Sequence, residues 1–291
     1  MQNASPRFTQ LKPRNTTKYN VIIQALDTTT QKKIIIKTPR VDFVTDSSVC
    51  ANLAHETEVL MSVNTLPHVQ RYITHGVEND HGHAIPYLVT ELAAGKTLYD
   101  IVRDEHHNGR FAHREGIILM RAIAETLFPV HELGLIHCDL KLGNVLWDVA
   151  GSQCTVMDWA ASVNIATQQR TTSDIVIGTA QFMSYEHVLG LPLDARTDIY
   201  ALGIIVTLLV YGQELTPRYT LVDGKMTKRS KEETSEAVSK KETIKTELFD
   251  LPASSYDWSL QQLLKRMTHW DREQRPNSMH EIVQECEKIL N

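Results

Sequence analysis

The sequence predicts an α+β fold in two lobes, a small β-rich one at residues 1–92 and a larger helical one at 93–291. Three observations lead there. With 291 residues, 42% hydrophobic and 22% charged, the chain has globular composition and enough apolar surface for a sizeable core. Up to Glu91 the apolar residues fall in short β-branched runs, and beyond Gly95 they recur at helical spacing. Neither an internal repeat nor a low-complexity tract interrupts this change of pattern.

After a short N-terminal arm, residues 19–25 and 33–37 read as strands on either side of Asp27-Thr-Thr-Thr30, a hairpin. A helix follows, with Ser47 and Ser48 as N-caps and Leu53, Leu60 and Val63 at helical spacing. Residues 69–77 and 85–91 supply two more strands. The stronger helices beyond Gly95 are 117–132, 194–211, 259–268 and 278–290. Between the second and third of these, residues 213–250 mix lysines with glutamates and hold few bulky apolar residues after Leu221. They read as an exposed, partly mobile excursion that could dock a partner.

The balance of 30 basic and 35 acidic residues, net −5, gives no drive toward phosphate backbones, so no nucleic-acid partner is expected. Cys50, Cys138, Cys154 and Cys286 are scattered without a C-x-x-C pair, which suits free thiols in a reducing compartment. The longest apolar run, 201–211, falls short of the roughly 20 residues that a membrane span needs. Residues 1–13 lack the apolar core of a signal peptide. A cytoplasmic protein without a membrane span is expected, or one in a host cytosol if a route without such a signal exports it.

The chemistry sits in Leu135-Ile-His137-Cys-Asp139-Leu-Lys141-Leu-Gly-Asn144-Val-Leu-Trp147 and in Val156-Met-Asp158-Trp-Ala160. An acid, a lysine, an amide and a second acid stand at fixed offsets, bracketed by apolar runs able to hold the loop rigid. Singly, an Asp or Asn in a loop is an ordinary turn former. Together they suit phosphoryl transfer: a carboxylate to orient an acceptor hydroxyl, a lysine to neutralise the moving group, and amide and carboxylate oxygens for magnesium.

These segments resemble those of the eukaryotic-type, or Hanks-type, serine/threonine protein kinases, from about Tyr19 to about Leu290 and in the family's order. The resemblance implies a bilobal protein kinase-like fold with ATP and Mg2+ between the lobes. By it, Asp139 is the catalytic base and Lys141 stabilises the transferred group, while Asn144 and Asp158 hold the metal. Lys37, in Ile34-Ile-Ile-Lys37, corresponds to the lysine that clamps the α- and β-phosphates, and Glu56 orients it, with Glu58 as the fallback. Thr90 lies behind the adenine, the Glu91, Leu92 and Ala93 backbone runs along its edge, and Ile22, Ile35 and Leu146 wall it in. Gly178-Thr-Ala-Gln-Phe-Met-Ser184-Tyr-Glu186 resembles the end of an activation segment. Asp198 corresponds to the helix aspartate that holds the catalytic-loop backbone, and Arg275 to the arginine that pairs with Glu186 in a bidentate ion pair. Lys141 and Thr179 match the serine/threonine branch, so the implied partner is a protein with a Ser or Thr acceptor.

The chain also departs from the family. Where the glycine-rich loop belongs it has Asn15-Thr-Thr-Lys-Tyr-Asn20, without the glycines that let a backbone approach phosphates at positive φ; Lys18 could supply charge instead. Cys138 replaces the arginine that answers a phosphorylated activation segment, so gating through such a phosphate is not expected, although Ser162, Thr167, Thr171, Thr172 and Ser173 offer hydroxyls. Trp159-Ala160 stands for Phe-Gly, and Tyr185 for a proline. His81, His83, His106 and His107 read as loop histidines. Two other readings stay open: a pseudokinase acting as scaffold or allosteric partner, favoured by the glycine-free loop, and a small-molecule phosphotransferase of the aminoglycoside or choline type. Lys141, residues 178–186, Asp198 and Arg275 argue against the latter.

Overall fold

Five antiparallel strands in the order β1-β2-β3-β5-β4 form the N-terminal sheet of the computed structural model. The structure describes residues 7–80, 82–103, 111–167, 180–188, 190–212, 219–222, 225–228 and 255–291. The strands are β1 (Phe8–Thr16), β2 (Asn20–Asp27), β3 (Lys32–Pro39), β4 (Tyr72–Asp80) and β5 (His83–Glu91). One face buries Ala25, Ile34 and Val89, with Phe8, Ile36 and Ile73 packed against them. Helix α1 (Ser47–Val63) sends Leu53, Leu60 and Val63 into the main core, where Leu88 of β5 joins them.

Two expectations change here, and one feature is added. The N-terminal arm is strand β1, whose residues beyond Thr9 are exposed; an edge strand that is polar on both faces leaves no apolar alternation to detect. The cap of α1 is Asp46, whose carboxylate accepts from the Ser48 and Val49 amides, and not Ser47 or Ser48. The feature added lies within the polar excursion, where β11 (Tyr219–Val222) pairs antiparallel with β12 (Lys225–Lys228). The Asp223-Gly224 dipeptide was the available sequence signal for that hairpin. The rest of 213–250, with Gly178, Thr179, Thr171, Thr172, Ser173, His81, His106 and His107, lies outside the described residues.

In the C-terminal part α2 (Leu98–Arg103) precedes α3 (His113–Glu132), which packs on α5 (Arg196–Tyr211) and on α7 (Met279–Leu290). Short α4 (Tyr185–Val188) leads into α5, and α6 (Ser255–Met267) lies against it. Helix α5 is buried along nearly its whole length and is the axis of this part. Its Gly203 is required by a close approach, since a Cβ there would lie 2.8 Å from Thr268 Cγ2 and 2.9 Å from Met267 Cβ. Ser278 caps α7 by accepting from the Glu281 amide. Among the described residues no helix is long and apolar enough to cross a membrane.

Short strands frame the polar segments. β7 (Leu135–Ile136) pairs with β10 (Val163–Asn164), while β6 (Lys96–Thr97), β8 (Val145–Asp148) and β9 (Gln153–Val156) form a small sheet. Hence residues 137–144 run from β7 to β8, and residues 157–162 from β9 to β10. The chain enters this frame at Gly95, whose φ of 93° and close approach to the Trp147 carbonyl admit no side chain.

Candidate active site

Lys37, Glu56 and Asp158 come from β3, α1 and the turn after β9, and they meet. The Lys37 ammonium lies 2.7 Å from Glu56 Oε2 and 2.8 Å from Asp158 Oδ1. Glu58 is exposed one face away, so Glu56 is the carboxylate that reaches the lysine. Burial works against the Lys37 charge, but the Asp158 and Glu56 carboxylates outweigh it and hold this ammonium well above the ordinary lysine range. Lys37 in turn holds the Asp158 carboxyl below its usual range, against a smaller opposing effect of burial. Glu56, only 1% exposed, is pushed up by burial, which Lys37 only partly offsets.

The second group is built on the loop between β7 and β8. Lys141 Nζ lies 2.5 Å from Asp139 Oδ2, and the Asn144 amide nitrogen donates to the Asp139 carbonyl at 2.8 Å and to Oδ2 at 3.1 Å. His137 accepts from the Asp139 amide on Nδ1 and donates from Nε2 to the Met157 carbonyl at 3.0 Å. A carbonyl only accepts and a main-chain amide only donates, so these contacts put an N–H on Nε2 and use Nδ1 as the acceptor. The two groups adjoin: the Met157 amide donates to the Asn144 carbonyl at 2.8 Å, and the Lys141 charge adds to the lowering of Asp158. Thus Lys37, Asp139 and Asp158 face one region where the sheet meets the helical part.

Asp198 supports this loop from below. Its carboxylate accepts from the His137 amide at 2.8 Å and the Cys138 amide at 3.0 Å, and it faces His131 Nε2 at 2.9 Å. Burial would raise its pKa, yet these partners together hold it below the ordinary aspartate value. Cys138 takes a positive φ of 64° and packs with Ile136, Val163 and Leu193. Trp159 is fully buried, donates from its indole to the Val156 carbonyl and meets the His137 ring edge-on at 4.6 Å. Glu186 and Arg275 form a bidentate pair at 2.7 and 2.9 Å, with side chains 4% and 0% exposed. Arg275 also donates to the His269, Arg196 and Trp270 carbonyls, and Thr197 donates to Glu186.

Of the residues expected around a nucleotide base, Ile22 lies opposite Lys37 in the β2–β3 register and Ile35 opposite Thr90 in the β3–β5 register. Thr90 is buried. Leu146 lies on β8 opposite Thr97 of β6. The Glu91 amide pairs with the Arg71 carbonyl, its carboxylate with Lys32 at 3.1 Å, and the Leu92 amide with the Lys33 carbonyl. The glycine-free segment is the tight turn from β1 to β2. Thr17 closes it, accepting from the Asn20 amide on Oγ1 and donating its own amide to the Asn20 carbonyl, and no residue from 15 to 20 has positive φ. Lys18 lies over the Tyr19 ring, 4.8 Å from its centroid.

Sequence reasoning missed two residues. His55 Nε2 meets the Ser162 carbonyl at 2.9 Å, joining α1 to the segment after Asp158. Gln70 Oε1 accepts from the Asp158 amide at 3.2 Å, while its Nε2 donates to Thr90 Oγ1 at 3.1 Å. Both depend on tertiary placement; the sole local hint was a polar residue directly after Val69.

A family model described as the protein kinase domain matches residues 17–286. The chain is 32% identical over 194 residues to a probable serine/threonine-protein kinase PknB of Corynebacterium glutamicum, covering 66% of this chain and 29% of that protein. It is 31% identical over 191 residues to the serine/threonine-protein kinase PknB of Mycolicibacterium smegmatis (65% and 30%) and 32% over 188 residues to a probable serine/threonine-protein kinase of Streptomyces coelicolor (64% and 27%). The aligned part therefore spans less than a third of the length of these relatives. With most of its length matched and its polar segments converging as described, the chain belongs to the protein kinase domain family.

Proposed function

We propose that this chain transfers the γ-phosphoryl group of ATP to Ser or Thr hydroxyls of a protein substrate. The observation that carries the reading is the contact of Lys37 with both Glu56 and Asp158, beside the loop that holds Asp139, Lys141 and Asn144. Family membership implies ATP and a divalent metal. The donor set fits magnesium: the Asp158 carboxylate is 41% exposed, and Asn144, tied to Asp139 through its nitrogen, has its oxygen for a ligand. When bound, Mg2+ neutralises charge on the β- and γ-phosphoryl oxygens.

The chain's own residues supply positioning and charge. Lys37, kept cationic by two carboxylates, binds the α- and β-phosphates, and Glu56 fixes its direction. Asp139 orients the acceptor hydroxyl and takes its proton as the oxygen–phosphorus bond forms and the bond to the β-phosphate oxygen breaks. Lys141 balances charge on the transferred group. A positioned acid–base group contributes about 10²–10⁴ in rate. Thr90, the Glu91–Leu92 backbone, Ile22, Ile35 and Leu146 form the adenine site, with the lobes divided after Leu92. Asp198, Glu186 and Arg275 have structural roles: Asp198 holds the amides before Asp139, and Glu186 pairs with Arg275. A cytoplasmic place of action, and partner docking through residues 213–250, belong to the same proposal.

The test is transfer from labelled ATP with magnesium to a generic basic protein and to the chain itself, comparing wild type with Asp139→Ala and Lys37→Ala. Label on protein that both substitutions abolish supports the reading. ATP left unconsumed by the wild type would favour the pseudokinase, for which the glycine-free β1–β2 turn is the specific observation. Label found on choline or an amino sugar and never on protein would favour the small-molecule enzyme.

A further inference from the structure

We propose that Gln70 is a positioning residue, which fixes the Asp158 main chain by tying it to the Thr90 side chain across the back of the site. This rests on the kinase reading of the site, and it concerns a residue outside the polar array. The main chain of Gln70 is itself pinned, because its amide donates to the Val156 carbonyl at 3.0 Å and the Val156 amide donates to the His68 carbonyl at 3.0 Å. Val69 and Val156 form a parallel bridge at the same place. Gln70 is thereby fastened to the strand that ends two residues before Asp158.

From this anchor the side chain bridges two elements. A main-chain N–H can only donate, so the Gln70 atom facing the Asp158 amide must be the oxygen, and the nitrogen must then face Thr90 Oγ1. The amide orientation is therefore fixed by chemistry. Asp158 has a φ of 63°, a conformation that Asp tolerates better than most residues but that needs support from its surroundings. The bond from its amide to Gln70 supplies support on the main chain, while Lys37 holds the carboxylate from the other side. Thr90 is 2% exposed at the end of β5, opposite Ile35, so the far end of the bridge is set by the sheet. The position of Asp158 relative to Lys37 and to a metal consequently depends on two hydrogen bonds made by one glutamine.

A glutamine that merely fills space would be replaced without consequence by methionine, which has similar length and neither donor nor acceptor of comparable strength. The measurements are hydrogen exchange of the Asp158 amide in the ligand-free chain and the Mg2+ concentration that half-saturates binding of a non-hydrolysable ATP analogue. Gln70→Met is expected to accelerate exchange at Asp158 by about tenfold and to raise the half-saturating Mg2+ by about five- to tenfold, the loss of one or two net hydrogen bonds. Thr90→Val is expected to accelerate exchange at Asp158 by a smaller factor, and to add little to that exchange once Gln70→Met is present. Thr90→Ser, which keeps the acceptor oxygen, is expected to retain the Asp158 amide protection. Wild-type exchange and wild-type Mg2+ dependence in Gln70→Met would overturn the proposal, as would full additivity of the two substitutions. If Gln70→Met does not fold, Thr90→Val carries the test through hydrogen exchange at the Asp158 amide, where wild-type exchange would overturn the proposal. Absence of phosphate transfer by the wild type would instead count against the kinase reading, and the exchange measurement would still decide the role of Gln70.

Discussion

Replacing Asp198 by asparagine changes one atom type in a buried site and separates the support of the loop that holds Asp139 from the chemistry proposed for it. The carboxylate accepts from two adjacent main-chain amides, one on each oxygen, and also faces His131. Asparagine offers a single oxygen, so at least one of the His137 and Cys138 amides is left facing an NH2 group. The lost charge-assisted bond is worth about 1.5–3 kcal/mol and an unpaired buried donor costs about 1–3 kcal/mol, so a total of about 3 kcal/mol is expected. At about 2 °C per kcal/mol for a chain of this size, the melting temperature falls by about 6 °C. Asp139 follows directly after the released amides, and a misplacement of about 1 Å costs about 10²-fold in kcat. The pH dependence has a defined sign. Asp198 is held below its ordinary pKa, so its contribution is present above the unfolded value of about 3.9 and is lost as pH falls through the depressed folded value. Thermal unfolding at pH 7 and across the acid range, with kcat measured beside it, checks each part. A melting temperature within 2 °C of wild type together with kcat within twofold would refute the claim that Asp198 holds the loop.

Two other outcomes follow from buried contacts. Arg275→Ala leaves the buried Glu186 carboxylate without its counter-charge, with Thr197 still donating to it, and strands three carbonyls; breaking such a buried pair costs about 3–5 kcal/mol. Arg275 now holds Glu186 below its usual range against burial; in the variant burial loses that opposition and raises it, so the deficit in melting temperature should shrink as pH is lowered from 7.5 to 5.5, and a pH-independent deficit would count against the ion pair. Cys138→Arg places a long cation where the thiol is 7% exposed among Ile136, Val163 and Leu193, and overpacking of this kind costs about 1–3 kcal/mol. Differential scanning calorimetry should record a lower melting temperature for it, and an unchanged one would mean that the site has room for an arginine.

The legible parts of this chain are those where one short segment fixes both identity and offset. Asp139, Lys141 and Asn144 lie within a single loop; Glu56 and Glu58 fall on different faces of α1, and the contact with Lys37 decides between them. The major helices were readable because burying one face imposes a period on the sequence, as in α3 and α7. Strand β1 imposes no such constraint, since its exposed edge residues satisfy their backbone through β2 whatever their side chains. The Asp46 cap was hidden by two serines that would have served equally well on local grounds. Gln70 was beyond reach for a different reason: its partners Thr90 and Asp158 are 20 and 88 positions away, and no local preference of the chain encodes a bridge between them.

Residues 162–165, after Asp158, are fastened without a guanidinium at position 138. Strand β10 is paired to β7 through Val163 and Ile136, and the same two side chains pack with Cys138 and Leu193. The Ile165 amide adds a bond to the Gly134 carbonyl at 2.8 Å, and His55 of α1 reaches the Ser162 carbonyl. Each of these contacts is main-chain pairing, apolar packing or a hydrogen bond from an imidazole, and none requires a phosphate on the segment. An arginine at 138 would need such an anion to offset burial of its charge; a cysteine there needs only apolar neighbours, which the fold supplies. Because His55 precedes Glu56, the bond to Ser162 and the ion pair with Lys37 are made from adjacent positions of α1. Displacing the helix breaks both together, so the placement of Lys37 and the anchoring of this segment are one structural variable rather than two.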